Sequence, residues 1–207
     1  MSRSSYEAHL TVRCAGGAAL DRLRGWSTAR GLKLTHVVLA RGRTPSQPML
    51  TLRHAASYGG QLARAREVAA ELEADGFPVV RVKVESDPWA PEVPREPCGG
   101  DRHFEHHVKL RLPAGADLPE LAARVAPHGA HLSWNARRVT GAGHHERFVT
   151  QRCRDVDADG AGRALEALLG SLSGLEVLDV EREFVLYDSD ASVDAGWLEE
   201  IGEGAAG

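Results

Sequence analysis

The chain opens on strict alternation. From 6 to 13 the apolar residues Tyr6, Ala8, Leu10 and Val12 fall on one parity, and Glu7, His9 and Thr11 on the other, the period-2 pattern of a half-buried strand. The period then changes. Leu20, Leu23 and Trp26 share one face of a helix expected over 18–30. A second strand is expected over 32–41, a polar turn over 42–48, and a third strand over 49–55. Leu62, Ala65, Val68, Ala69 and Leu72 predict a helix over 60–75, which ends at Gly76, where a helix C-terminus favours positive φ. A strand over 79–86 completes the series.

This series occurs twice. Residues 6–12 match 104–110 at an offset of 98, and the same offset places 31–35 on 129–133, Gly76 on Gly174, and 82–85 on 180–183. Residues 51–54 match 150–153 one position later. Four matched blocks in one order point to a tandem duplication. The second copy predicts strands over 104–112, 130–139, 146–153 and 176–187, with helices over 117–127 and 159–171. The fold class is therefore α+β, a duplicated ferredoxin-like βαββαβ unit. Its antiparallel sheets carry helices on one face and leave the other open. The copies span 5–87 and 103–188. A Pro- and Gly-rich linker (88–102) joins them, with Trp89 and Val93 expected to anchor it, and a tail follows (189–207) with Trp197, Leu198 and Ile201 as docking side chains.

Composition narrows the setting. No apolar run approaches the ~20 residues of a membrane span, and the first thirteen residues lack a signal-peptide core. With a net charge of −4 and 5% aromatic residues, nucleic-acid binding is disfavoured. Three cysteines without a C-x-x-C pair argue against a disulfide framework or a thiolate zinc site and fit a reducing cytoplasm. Arg outnumbers Lys 22 to 3, which reads as high-GC codon bias in a bacterium.

Parity then separates the charged residues from the core. Glu7, His9, Thr11, Lys33, Thr51, Arg53, Lys83 and Glu85 of the first copy face away from the helices. So do Glu105, His107, Lys109, His131, Ser133, Asn135, Arg137, Thr150, Arg152, Glu181 and Glu183 of the second. All three lysines are among them. Such a face either stays solvated, with cross-strand charge pairs contributing ~0.2–1 kcal/mol each, or is enclosed when the copies form one closed, barrel-like sheet around a polar cleft. In the enclosed case Glu7, His9, Glu105 and His107 converge as candidate ligands for a divalent ion, Zn, Fe or Mn. Arg53, Arg152 and Arg137 would bind an anionic phosphate- or carboxylate-bearing small molecule, and Lys109, Glu181 and Glu183 would serve catalysis. The leading expectation is a metal-assisted enzyme, a hydrolase or lyase, or a ligand-binding protein. A non-catalytic regulatory or interaction module is the alternative, and a homodimer is left open.

Three resemblances bear on this. His9-Leu10-Thr11 and His131-Leu132-Ser133 resemble the H-x-[ST] motif of the 2H phosphoesterases. That likeness implies His9 and His131 as general acid and base on a phosphodiester, although the repeat pairs His9 with His107 instead. Glu105, His107 and Lys109 resemble part of the E-x-E-x-K strand of triphosphate-tunnel enzymes, which implies an anion-lined tunnel. The chain as a whole is similar to bacterial proteins of duplicated ferredoxin-like type, a group that implies the fold and brings no assigned chemistry. Elsewhere, His144 and His145 read as a hairpin tip, His36 and His106 as core-edge residues, and Gly16-Gly17 as a strand-to-helix turn. Cys14 and Cys153 lack the setting of a nucleophile.

Overall fold

A computed structural model describes residues 5–39, 42–53, 55–97, 99–135 and 143–197. Its elements follow the duplicated order. The first copy comprises β1 (Tyr6–Val12), α1 (Gly17–Ala29), β2 (Lys33–Leu39), β3 (Ser46–Arg53), α2 (Tyr58–Ala74) and β4 (Val79–Ser86). The second comprises β5 (His103–Pro113), α3 (Leu118–Val125), β6 (Ala130–Asn135), β7 (His144–Cys153), α4 (Ala158–Ser171) and β8 (Glu176–Asp188). Helix starts use expected chemistry: the side chains of Ser57, Asp117 and Asp157 accept from the backbone N–H three residues on. Gly76 and its repeat mate Gly174 both have positive φ just beyond a helix end.

The eight strands form one closed antiparallel barrel in the order β1-β3-β2-β6-β7-β5-β8-β4. Each copy contributes four adjacent strands, and two seams join the copies. At one seam Val37–Leu39 pairs with residues 133–135, and at the other Lys83–Ser86 pairs with residues 184–188. Closure leaves the sheet without free outer strands.

The helices lie outside the barrel, so the apolar core is outside it too. Ala8, Leu10, Leu50, Leu52 and Val84 meet Leu23 and Trp26 of α1 and Ala65, Val68 and Leu72 of α2. Val108, Leu110, Leu132 and Val149 meet Leu121 of α3 and Leu165 and Leu168 of α4 in the same way. A third cluster, with Tyr6, Phe104, Phe184 and Leu186, also takes in Ala90 of the linker, with Val93 packed against it. Trp89, expected to anchor the linker, is instead 65% exposed. The chain turns at Asp87–Ala90, and this directs Ala90 inward in its place.

Two boundaries differ from the sequence pattern. β3 begins at Ser46, inside the expected turn, because the Gln47 side chain is buried and donates to the Thr44 carbonyl and to Asp194. His144, His145 and Glu146 form rungs of the β5–β7 ladder rather than a hairpin tip. In the tail, a 3₁₀ turn (Ala191–Asp194) brings Trp197 down onto Gly42. Gly42 has φ +115°, and a Cβ there would sit 3.0 Å from the Trp197 backbone nitrogen, so this close approach requires glycine. Trp197 is buried as expected, whereas Leu198 and Ile201 lie outside the described residues.

Phe184 stacks edge-to-face on Phe104 with ring centroids 4.8 Å apart, beside the seam where it pairs with Ser86. Phe184→Ala should lower the unfolding free energy by about 3–5 kcal/mol, as read from urea denaturation. A loss below ~1 kcal/mol would mean that this cluster does not hold the seam.

Candidate functional site

Because most apolar residues of the strands point outward to the helices, the opposite parity is enclosed, together with Val37, Leu39, Met49, Trp134 and Phe148. The barrel interior is a cavity of about 340 Å³, the size range of small-molecule sites. Its wall includes six cationic residues, Lys33, Arg53, Arg81, Lys83, Lys109 and Arg152, against seven acidic ones, Glu7, Glu85, Glu105, Asp179, Glu181, Glu183 and Asp194. His9, His107, Thr51 and Thr150 line it as well. The lining residues Lys33, Arg53, Asp179 and Glu181 are exposed, whereas Gln47, Arg81, Asp194 and Trp197 are buried. The cavity is thus open where the first group lies and closed where the tail packs.

The closed end is an ion-pair lattice. The Asp194 carboxylate lies 2.8 Å from Arg81 and 2.6 Å from Arg152, and Arg81 also forks onto Asp188. Burial opposes ionisation of Asp194, but the two guanidiniums outweigh it and hold its carboxyl below the usual range. Arg152 also donates to Glu105 at 2.9 Å. Glu105 further receives Lys83 at 3.2 Å and faces His103 and His107, each at 3.2 Å. These partners overcome its burial and keep its carboxyl well below the ordinary range.

The middle of the cavity carries the same constellation twice. In the first copy His9 places Nδ1 3.2 Å from the Thr51 hydroxyl and Nε2 2.9 Å from Glu85. In the second, His107 places Nδ1 2.9 Å from the Thr150 hydroxyl and Nε2 3.3 Å from Glu183. Arg53 to Glu7 and Arg152 to Glu105 repeat another contact, each at 2.9 Å.

The electrostatic settings of the two copies differ. Burial alone would lower the His107 pKa, yet hydrogen bonds to Glu105 and Glu183 push it up to about 10. Burial and the nearby Glu85 charge raise the Glu183 carboxyl, against the pull of His107. Glu85 goes the other way: burial is outweighed by the Lys83 ammonium and by His9, which hold it low. Lys83 Nζ lies 2.6 Å from one Glu85 oxygen and His9 Nε2 2.9 Å from the other. Each Glu85 oxygen thus has one partner, and the carboxylate is buried.

Two groups of side chains have ligand atoms mutually within 4.8 Å: Glu7, His9 and Glu183, and Glu85, His107 and Glu183. Among the residues expected as metal ligands, Glu7, His9 and His107 fall in these groups. Glu105 does not, since the lattice of Lys83, Arg152, His103 and His107 engages it; Glu85 and Glu183 take that place. Lys109 faces the cavity and pairs with Glu146 at 3.0 Å, and Glu181 lies at the open end. Arg53 is 46% exposed there, while Arg152 spends its guanidinium on Glu105 and Asp194. Arg137 lies outside the described residues. His131 is not on the cavity wall; its ring lies against Trp197, with centroids 6.0 Å apart. His9 is thus matched by His107 and not by His131, as the repeat register requires.

Arg81 and Asp179 share strand parity with Lys83 and Glu181, so alternation alone could have found them. Asp194 had no such signal, because the tail has no strand period.

No protein-family model matches the chain, and no curated protein matches it. Solved structures similar to it span most of its length. The small subunit of acetolactate synthase from Thermotoga maritima is 14% identical over 86% of this chain and 92% of that one, with a TM-score of 0.31. The regulatory subunit of aspartate kinase from Thermus thermophilus is 13% identical over 83% and 95%, with a TM-score of 0.36. Chlorite dismutase from Candidatus Nitrospira defluvii is 9% identical over 87% and 90%, with a TM-score of 0.29. The likeness is one of fold type, duplicated and ferredoxin-like, and carries no chemistry. Among the described residues no helix is long and apolar enough to cross a membrane.

Asp194→Ala leaves Arg81 and Arg152 buried short of a counter-charge and should destabilise the fold by about 3–5 kcal/mol near neutral pH. Since the folded carboxyl is held low, its contribution is present above the unfolded value of about 3.9 and is lost as pH falls through the lower folded one. The gap between wild type and variant should therefore narrow on acidification, read from denaturation midpoints at pH 7, 4 and 3. A gap independent of pH would refute this role for the carboxylate.

Proposed function

We propose that the barrel binds an anionic small molecule beside a divalent metal ion, and that it acts there as a metal-assisted hydrolase or lyase. The observation that carries this reading is the Glu85 carboxylate, buried on the cavity wall with two further ligand side chains within 4.8 Å. His107 and Glu183 complete a set of three ligand atoms around the same point. Imidazole nitrogen with two carboxylates suits Zn, Fe or Mn, and the donor set therefore fits such an ion.

When bound, the ion would supply Lewis acidity toward a phosphate or carboxylate oxygen. The chain's own residues supply the rest. Arg53 at the open end offers a planar fork to an entering anion, and Lys33 and Lys109 add positive charge along its path. Lys83 keeps Glu85 ionised, which is the state that ligates. Thr150 holds the His107 ring with Nε2 toward the carboxylates. The closed end keeps bulk water out on that side.

A second reading is favoured by the raised His107 pKa. Without metal, His107 is a cation, and the cavity would then suit an anionic effector bound without turnover, as in a regulatory module.

Metal analysis of protein purified without chelator separates the two. A stoichiometric ion, lost in the His9→Ala, His107→Ala double variant with its circular dichroism intact, is the expected result. Protein that contains no ion, and takes up none of Zn, Fe(II) or Mn(II) on dialysis, would overturn the metal reading in favour of the effector pocket.

A further inference from the structure

We infer that the cavity has two adjacent divalent-ion positions, bridged by Glu183; this rests on the metal reading above and extends it. The first position is Glu85, His107 and Glu183. The second is Glu7, His9 and Glu183, whose ligand atoms also lie within 4.8 Å of one another. Glu183 is common to both, and a carboxylate has two oxygens, one for each ion.

Three observations favour a pair over a single ion. The histidines are repeat mates, and each is oriented alike. Thr51 and Thr150 engage the two Nδ1 atoms at 3.2 and 2.9 Å, which leaves both Nε2 atoms facing carboxylates, the arrangement found around ligating histidines. The unshared carboxylates also differ in depth: Glu85 is buried, while Glu7 is half-buried beside the exposed Arg53, so the two groups are not one ligand set. Finally, no residue of the second group is consumed by the ion-pair lattice at the closed end. Glu7 has Arg53 at 2.9 Å, a partner half exposed to solvent and free to swing toward an anion.

Two ions would bring positive charge beyond what the acidic residues of the wall offset. The second ion is therefore coupled to the anion: inorganic phosphate, which can lie across a pair of cations, tightens it.

Mn(II) titration of chelator-stripped protein tests this, with the bound stoichiometry and the electron paramagnetic resonance spectrum as readouts. Two ions per chain with a spin-coupled spectrum are expected, the second binding at least tenfold more tightly in inorganic phosphate. Glu7→Gln should keep one ion and lose the coupling, and Glu183→Gln should weaken both. Thermal melting checks that each variant folds; Glu7→Gln, at the open end, decides the matter if Glu183→Gln does not. One uncoupled ion in the wild type overturns the pair and leaves the single-ion function standing. Absence of any bound ion overturns both.

Discussion

The structure turns on one buried carboxylate. Glu105 sits inside the barrel wall with Lys83, Arg152, His103 and His107 all within 3.2 Å. Lys83 belongs to the first copy, and the other partners to the second. An ionised carboxylate taken from water into such a setting carries a penalty of several kcal/mol unless opposite charges and hydrogen bonds surround it. Here they do, and the same contacts tie β4 to β5 and β7. Folding the barrel and neutralising Glu105 are thus one event. His107 reaches its cationic state through Glu105, so the electrostatics of the candidate site depend on this residue as well.

That arrangement follows from where the apolar residues went. The helices outside take most of the apolar residues of the strands, though Val37, Leu39, Met49, Trp134 and Phe148 line the interior. Closure then forces the remaining parity inward, and a 340 Å³ interior must hold charges. The interior balances much of its charge pair by pair. Glu85, paired with Lys83 and His9, is deep in this wall, whereas Arg53, paired with Glu7, is half exposed at the open end.

How much of this was readable beforehand can be judged from particular residues. Period-2 alternation placed Glu7, His9, Glu105, His107 and Glu183 on one face, and the duplicated blocks set the order of strands, because both are local properties of the sequence. Alternation also holds the signal for Arg81. What it cannot contain is register across the seams. Whether Glu85 of the first copy comes near His107 and Glu183 of the second depends on how β4 meets β8, where the pairing shifts between Val84 and Glu85. A shift of this kind also switches which parity of β8 faces inward, from Glu183 to Asp188. The tail escaped for another reason: Asp194 has no strand or helix period, and its role comes entirely from two arginines distant in sequence. Trp89 misled because hydrophobicity alone does not say which residue of a turn points inward.

The repeat also explains why one chain carries the barrel instead of two identical ones. At an offset of 98, Lys83 corresponds to Glu181 and Arg81 to Asp179, so the copies carry opposite charges at equivalent positions. In an assembly of identical halves, Lys83 would meet its own counterpart's environment, cation matched with cation around a shared axis, at a cost set by the low dielectric of the interior. Once the copies are fused they can diverge in sign. One keeps Arg81 and Lys83 to neutralise Asp194, Glu85 and Glu105, while the other keeps Asp179 and Glu181 toward the open end. Residues that did not diverge include the ion-paired Glu7 and Arg53 with Glu105 and Arg152, and also His9 with His107, Thr51 with Thr150, and Glu85 with Glu183. Charge balance alone does not require these last three pairs to match. Their identity is instead what two like binding positions on either side of one pseudo-twofold axis would need.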